Sequence, residues 1–290
     1  MIEYKSVAEF VDLYDAFILD IWGVIHDGES AYPGVLETMR KLKQAGKEII
    51  FLSNAPRRSS KVKKALARFG VTEDLYKDAV SSGEVAYQLF SRYCHSSESW
   101  NPAAPLDPGL RRDDNIPYFY IGPEKDADLL QGLNYQIVQK AADAKFVLAT
   151  GFDNDDSTLQ EKLPQIKEAM KADLKMYCVN PDLIVVRQNG TKMLCAGVIG
   201  EYYRDQGWEV EFIGKPYKQV YEYIQKSFAP GARIAAIGDS LTTDIAGANN
   251  VGIDSILVLG GILQMEKEPL ETLIKKTHAK PNATIPAFTY

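Results

Sequence analysis

Short apolar runs alternate with helical patterns at both ends of this 290-residue chain, and this alternation limits the fold more than any other feature. Near the N-terminus, AFILDIW (16–22) and KEIIFLSN (47–54) are typical of buried strands, while residues 33–45 and 59–69 have helical patterns. The alternation returns near the C-terminus, with strand-like segments at 209–216, 232–240 and 254–261. Strands that alternate with helices predict a parallel sheet with helices on both faces, a Rossmann-like, doubly wound α/β fold.

A long middle segment separates the two halves of this predicted sheet and has strands of its own. Its strand-like segments lie at 117–122, 144–151 and 174–180, with helical patterns between them. We therefore predict a core built from residues 1–81 and 209–290, and an inserted α/β cap domain at 82–208. Within the cap, residues 95–115 break all periodicity and are rich in Pro, Ser, Asp and Arg, which predicts an irregular loop or a disordered insertion.

Composition narrows the classes of partner. The chain is 46% hydrophobic and 25% charged, as in ordinary globular proteins, and its net charge of -6 gives no basic field to attract nucleic acid or an anionic membrane. No apolar stretch is long enough to span a bilayer, the N-terminus lacks a signal-peptide pattern, and the three cysteines form no CxxC pair. We expect a cytoplasmic protein with reduced thiols that acts on a small molecule.

Polar residues follow several of the predicted core strands. They are Asp20 in ILDIWG, Ser53 in FLSN, Lys215 in IGKP, and Asp239 with Asp244 in IGDSLTTD. Each alone is more often a helix cap, a turn or a surface charge. Because ligands of open parallel sheets bind at the carboxyl ends of the strands, the whole set predicts one site.

These residue types suit phosphoryl transfer. A carboxylate attacks phosphorus only when its charge and that of the phosphate are both offset, and Mg²⁺, which prefers hard oxygen ligands, can do this with Asp20 and Asp239. Lys215 would pair with the attacking carboxylate and a phosphate oxygen. The Ser53 hydroxyl and the Asn54 amide would hydrogen-bond the remaining phosphate oxygens.

The order DxxG, LSN, GKP and GDSxxxD resembles the four motifs of the haloacid dehalogenase superfamily, over nearly the whole chain. The insertion between the second and third motifs, which contains VNPD (179–182), resembles the cap of the class IIA branch, a group that includes 4-nitrophenylphosphatases and sugar phosphatases. The resemblance implies that Asp20 is a nucleophile that forms an aspartyl-phosphate, with Ser53 as the phosphate-binding hydroxyl and Lys215 as the charge-neutralising base.

The same resemblance implies a metal site and a substrate-facing loop. Asp239 would bind Mg²⁺, Asp244 would be a further ligand or an outer carboxylate, and the backbone carbonyl of Trp22 would be another protein ligand. In the cap, Asn180 and Asp182 would face the substrate.

Trp22 departs from the family pattern. Phosphatases of the family place a second Asp here to protonate the leaving group and activate water, which a Trp side chain cannot do. Loss of a general acid and base costs on the order of a hundredfold to ten-thousandfold in rate. His26 and Asp27 are nearby candidates for a substitute, and Trp22 itself has three open interpretations: core packing, an apolar wall of the pocket, or the mark of a retired enzyme.

The leading hypothesis is a Mg²⁺-dependent hydrolase, a phosphatase for a small phosphorylated metabolite such as a nucleotide or sugar phosphate. The alternative is a catalytically weak or inactive phospho-ligand-binding or regulatory protein, and a third hypothesis is phosphoryl transfer to an acceptor other than water. A cap of this size is also compatible with a homodimer.

Overall fold

The computed structural model describes residues 1–95, 115–186 and 190–290. The irregular segment predicted at 95–115 therefore lies, apart from its two end residues, outside the described residues.

Strands and helices alternate along the described chain as the sequence predicts. The strands are β1 (Ile2–Glu3), β2 (Ala16–Leu19), β3 (Glu48–Ser53), β4 (Asp78–Ser81), β5 (Ile116–Ile121), β6 (Tyr135–Val138), β7 (Val147–Ala149), β8 (Met176–Val179), β9 (Ile184–Val186), β10 (Lys192–Leu194), β11 (Val210–Ile213), β12 (Ile234–Gly238), β13 (Asp254–Val258) and β14 (Ala283–Ile285). The α-helices are α1 (Val35–Gln44), α2 (Ser59–Arg68), α3 (Ser82–His95), α4 (Leu159–Lys171), α5 (Ala196–Asp205), α6 (Lys218–Gln225), α7 (Ala246–Asn250) and α8 (Leu270–Thr277).

The core is a seven-stranded sheet in the order β1-β14-β13-β12-β2-β3-β4, among the described residues. Every neighbouring pair in it is parallel. All four residues of the interior strand β2 are buried, because apolar clusters cover both faces of the sheet. The predicted doubly wound α/β fold is confirmed.

The cap contains a second parallel sheet, in the order β11-β8-β7-β5-β6, and a separate antiparallel pair, β9–β10. One sequence prediction is corrected here. The strand predicted at 209–216 was assigned to the core, yet β11 pairs with β8, with Phe212 opposite Cys178. Because a buried parallel strand has the same apolar pattern in either sheet, its sequence does not reveal its partner. The insertion thus extends to residue 213 rather than 208.

Helix α3 joins the two sheets through one hydrophobic cluster. This cluster contains Ile18 and Leu52 from the core sheet, Phe90 from α3, and Leu148 and Val179 from the cap sheet, all buried. Burial of so much shared apolar surface fastens the cap to the core.

Two further expectations bear on the described residues. None of their helices has both the length and the apolar character needed to cross a membrane. Cys178 and Cys195 are buried free cysteines, and the predicted reduced state of the thiols stays a prediction.

Candidate active site

Three carboxylates meet at the carboxyl end of the core sheet. Asp20 follows β2, Asp239 follows the neighbouring strand β12, and Asp244 lies on a single π-helical turn, Leu241–Ile245. Because β2 and β12 pair in parallel with Leu19 opposite Ile237, their ends coincide. One oxygen of each carboxylate lies within 4.8 Å of the other two.

Glycines leave the space that Asp239 needs. A Cβ at Gly23 would lie 1.9 Å from Asp239 Oδ2, and one at Gly261 would lie 2.0 Å from the same atom. The same oxygen accepts a hydrogen bond of 2.8 Å from the backbone N–H of Ile262. The carboxylate is thus fixed between two loops. Gly23 belongs to the DxxG motif, but no motif pointed to Gly261.

Lys215 balances part of this negative charge. Its Nζ lies 2.5 Å from Asp20 Oδ1 and 2.7 Å from Asp244 Oδ1, and the side chain is buried. Burial alone lowers the pKa of Lys215, but Asp20 and Asp244 raise it well above its ordinary value. The contact with Asp20 is the one that the sequence predicts, although Lys215 reaches it from the end of a cap strand.

One lysine cannot neutralise three buried carboxylates. Burial raises the pKa of Asp20, although Lys215 partly opposes the effect. Burial raises the pKa of Asp239 well above its ordinary value, and that of Asp244 to about 6. A divalent cation would offset the excess charge, and an all-oxygen donor set suits Mg²⁺. The residues present therefore fit the predicted cofactor, with Asp20, Asp239 and Asp244 as the side chains to hold it.

The predicted phosphate-binding segment follows β3. Ser53 Oγ accepts a hydrogen bond of 3.2 Å from the N–H of Ala55, which leaves the hydroxyl proton for donation to a ligand. The Asn54 side chain has another task, because its Oδ1 accepts from the N–H of Lys215 at 2.7 Å and its Nδ2 donates to Asp182 Oδ1 at 2.8 Å. With its side chain so engaged, Asn54 has only its backbone amide left for the predicted phosphate contact, which stays a prediction.

The cap loop predicted to face the substrate reaches the same place. Asn180 has a positive φ of 110°, and its Oδ1 accepts a hydrogen bond of 3.1 Å from the N–H of Asp182. Burial raises the pKa of Asp182 to about 6, with Lys215 and the bond from Asn54 opposing it. Asn54 thus connects the core, the cap loop and Lys215.

Trp22 lies between the core and the cap. Its Nε1 donates a hydrogen bond of 2.8 Å to the carbonyl of Val186, at the end of β9. Its ring meets that of His26 edge-on, with centroids 5.5 Å apart. This side chain is therefore a contact with the cap rather than a core-packing residue.

His26 and Asp27 are the candidate substitutes for the missing Asp, and neither is in an environment that suits a general acid. His26 is buried, stacks on Phe69 at 4.1 Å, and accepts from the N–H of Gly28 at Nδ1. Burial lowers its pKa to about 4. The carboxylate of Asp27 accepts from two backbone N–H groups, those of Glu29 and Ser30, which outweigh burial and lower its pKa.

The structure brings all nine predicted site residues to one cavity of about 940 Å³. They are Asp20, Trp22, Ser53, Asn54, Asn180, Asp182, Lys215, Asp239 and Asp244. Sequence reasoning missed Arg57 and Lys125, which also line it. Arg57 follows the LSN motif closely enough to have been found, whereas Lys125 had no such signal.

A parallel α/β core with an acidic cluster at its strand ends and a cap over the cavity defines a capped hydrolase of the haloacid dehalogenase type. Two family models match the chain: one described as haloacid dehalogenase-like hydrolase, at residues 17–136, and a hydrolase-like model of the same superfamily, at residues 212–287. The chain belongs to the haloacid dehalogenase-like hydrolases.

Individual relatives agree with this family. The chain is 27% identical to a 4-nitrophenylphosphatase of Schizosaccharomyces pombe, over 92% of this chain and 90% of the relative. It is 24% identical to the sugar-phosphatase AraL of Bacillus subtilis, over 88% and 86%. Among solved structures, a haloacid dehalogenase-like hydrolase from Brucella suis superposes with a TM-score of 0.81, at 24% identity over 99% of this chain and 100% of that one. The predicted family and fold are confirmed.

Proposed function

We propose that this hydrolase is a phosphatase for small phosphorylated metabolites and that Asp20 is its nucleophile. The observation that carries the proposal is the group Asp20–Lys215–Asp244, with Lys215 Nζ 2.5 Å from Asp20 and 2.7 Å from Asp244, beside Asp239 in a capped cavity. The names of its relatives support the reaction class, since they include a nitrophenylphosphatase and a sugar-phosphatase.

The proposed reaction has two steps on this chain's own residues. An Asp20 oxygen attacks phosphorus, the bond from phosphorus to the leaving oxygen breaks, and an aspartyl-phosphate forms. Water then attacks phosphorus, the bond from phosphorus to the Asp20 oxygen breaks with its electron pair restoring the carboxylate, and the protons of the water leave with the phosphate or pass to bulk water. Lys215, the Ser53 hydroxyl and the Asn54 backbone amide hold the phosphoryl oxygens throughout. A bound Mg²⁺ would offset the charge that collects as the two anions meet.

The experiment is phosphate release from a panel of 4-nitrophenyl, nucleotide and sugar phosphates, with Mg²⁺ or with a chelator. We expect metal-dependent release by the wild type, and a loss of at least about a thousandfold in Asp20→Asn. Asp15→Asn is the matched control, because Asp15 lies at the opposite end of β2 in an exposed ion pair with Arg233. Its turnover should stay near that of the wild type.

Either of two results would overturn the proposal. Full activity in Asp20→Asn would refute the nucleophile. Binding of phosphate compounds by the wild type without metal-dependent release from any of them would favour the inactive phospho-ligand binder.

A further inference from the structure

The loop after Asp20 is shaped around the Trp22 ring. A Cβ at Gly28, where φ is +96°, would lie 2.5 Å from Cη2 of that ring, so the loop backbone passes directly against it. The His26 ring contacts the indole edge-on, and the carbonyl of Val186 accepts its N–H. The Trp22 side chain is therefore held by both the loop and the cap, and it lines the cavity.

On the cavity side, Trp22 continues into an apolar surface of the cap. Ile184, Val185 and Val186 of β9 and Met193 of β10 line the same cavity as Trp22 and Asp20. We call these five apolar residues, Trp22 included, the apolar wall. Such a surface binds flat, apolar groups and offers no acid to a charged oxygen.

Residues 21–28 of the loop after Asp20 offer no acid beside the apolar wall. The indole N–H is not an acid at neutral pH and is already donated to Val186. His26 stacks on Phe69 and its Nδ1 is taken by Gly28, while Asp27 is held as a carboxylate by two N–H groups. Asp182, in the cap loop just before β9, accepts a hydrogen bond from the Asn54 side chain. Neither Trp22, His26 nor Asp27 therefore supplies an acid to a leaving oxygen beside the wall.

Resting on the phosphatase function proposed above, we propose that this site selects phosphate compounds whose leaving group is a stable anion with a flat apolar body, such as aryl phosphates and aromatic acyl phosphates. As the Asp20–phosphorus bond forms, the bond from phosphorus to the leaving oxygen breaks and its electron pair stays on that oxygen. The phenolate or carboxylate leaves unprotonated and takes any proton from bulk water. The aspartyl-phosphate has itself a carboxylate leaving group, so its hydrolysis needs no acid either.

The test is a series of phenyl phosphates, ordered by the acidity of the phenol: 4-nitrophenyl, phenyl and 4-methoxyphenyl phosphate. The value of kcat/KM reports the first irreversible step, in which the leaving group departs. For the wild type we expect it to fall by about a hundredfold along the series, since no acid offsets the poorer leaving group. In Trp22→Asp, which restores an acid, the fall should shrink to less than about tenfold.

Trp22→Phe is the matched variant, since it keeps an apolar ring but removes the donor to Val186. It should raise KM for every ester while keeping the wild-type dependence on the phenol. Benzoyl and acetyl phosphate probe the wall itself: the wild type should prefer the benzoyl compound, and Trp22→Ala should lose that preference. Circular dichroism would show that each variant is folded.

A flat dependence in the wild type would overturn the inference, because it would show that a proton reaches the leaving oxygen. If that flat dependence became steep in Asp182→Asn, the proton would come from Asp182. Failure of the underlying phosphatase function would give a different result. The wild type would then hydrolyse none of the esters, or Asp20→Asn would hydrolyse them as well as the wild type does.

Discussion

At the scale of single residues, the site is dominated by unbalanced negative charge. Asp20, Asp239 and Asp244 place carboxylate oxygens within 4.8 Å of one another, and Lys215 pairs with two of the three residues. Such a cluster is costly to bury unless a cation completes it. Burial removes water from the charged forms and raises the pKa of all three carboxyl groups, so we expect protons to compete with that cation for the site.

Proton competition predicts a pH-dependent metal affinity. The pKa of Asp244 is raised to about 6, so below this pH the group is mostly protonated and the cation must displace its proton. We expect Mg²⁺ affinity to be full above pH 7 and to weaken by at least about tenfold at pH 5. Isothermal titration calorimetry in two buffers of different ionisation enthalpy would measure both the affinity and the protons released.

The matched comparison for this titration is Asp244→Asn. That variant should bind Mg²⁺ more weakly at pH 7.5 and lose less affinity on going to pH 5. An affinity of the wild type that did not change between these pH values would contradict the account.

At the scale of elements, the sequence predicted most strands and helices because their apolar patterns are local. The segment 59–69 forms α2 at Ser59–Arg68, and 47–54 forms β3 at Glu48–Ser53. The predicted assignment of β11 to the core sheet was wrong, because the pairing of a strand depends on residues that are distant in the sequence. The short pair β9–β10 was missed, since three-residue strands have almost no periodicity, although Asn189-Gly190 is the type of dipeptide that signals a hairpin.

For the candidate site too, local motifs could be predicted from the sequence, whereas contacts between distant residues could not. Motifs that lie at strand ends converged on one cavity because parallel strands present their carboxyl ends at one edge. The bond from Trp22 to Val186 could not be predicted, since the two residues are 164 positions apart and belong to different domains. Likewise, nothing local in the sequence links the Asn54 side chain to Asp182. The catalytic roles that the sequence predicts for these residues stay predictions.

Helix α3 supports a prediction about stability. Phe90 is fully buried between the two sheets and stacks on Phe146, with ring centroids 5.1 Å apart. Phe90→Ala should lower the free energy of unfolding by about 3–5 kcal/mol, through lost apolar burial and the cavity left behind. Urea unfolding followed by circular dichroism and by fluorescence would measure the change.

The control for this change lies on the same helix. Gln88 is partly exposed, so Gln88→Ala should cost less than about 1 kcal/mol. Because one cluster joins the core and the cap, both probes should report a single transition for the wild type. Two separate transitions, or a Phe90→Ala cost below about 1 kcal/mol, would show that α3 does not couple the sheets.

At the scale of the whole molecule, the chain is a haloacid dehalogenase-like hydrolase whose core provides the three clustered carboxylates and whose cap provides four of the five residues of the apolar wall. Lys215 is the one buried cation in the cluster of described residues around Asp20, and it stands where the cap joins the core. The cap therefore contributes a charged side chain to the site as well as part of its apolar lining. The predicted homodimer and cytoplasmic location stay predictions.

The central claim is that Asp20 is the residue that receives the phosphoryl group, and it can be tested by acid quench of a single turnover followed by peptide mass spectrometry. With Mg²⁺ and 4-nitrophenyl phosphate, the account predicts a phosphoryl adduct on the peptide that contains Asp20. The adduct should be absent in Asp20→Asn and present in Asp15→Asn. Release of phosphate by the wild type with no adduct at any time, or with the adduct on a different residue, would contradict it.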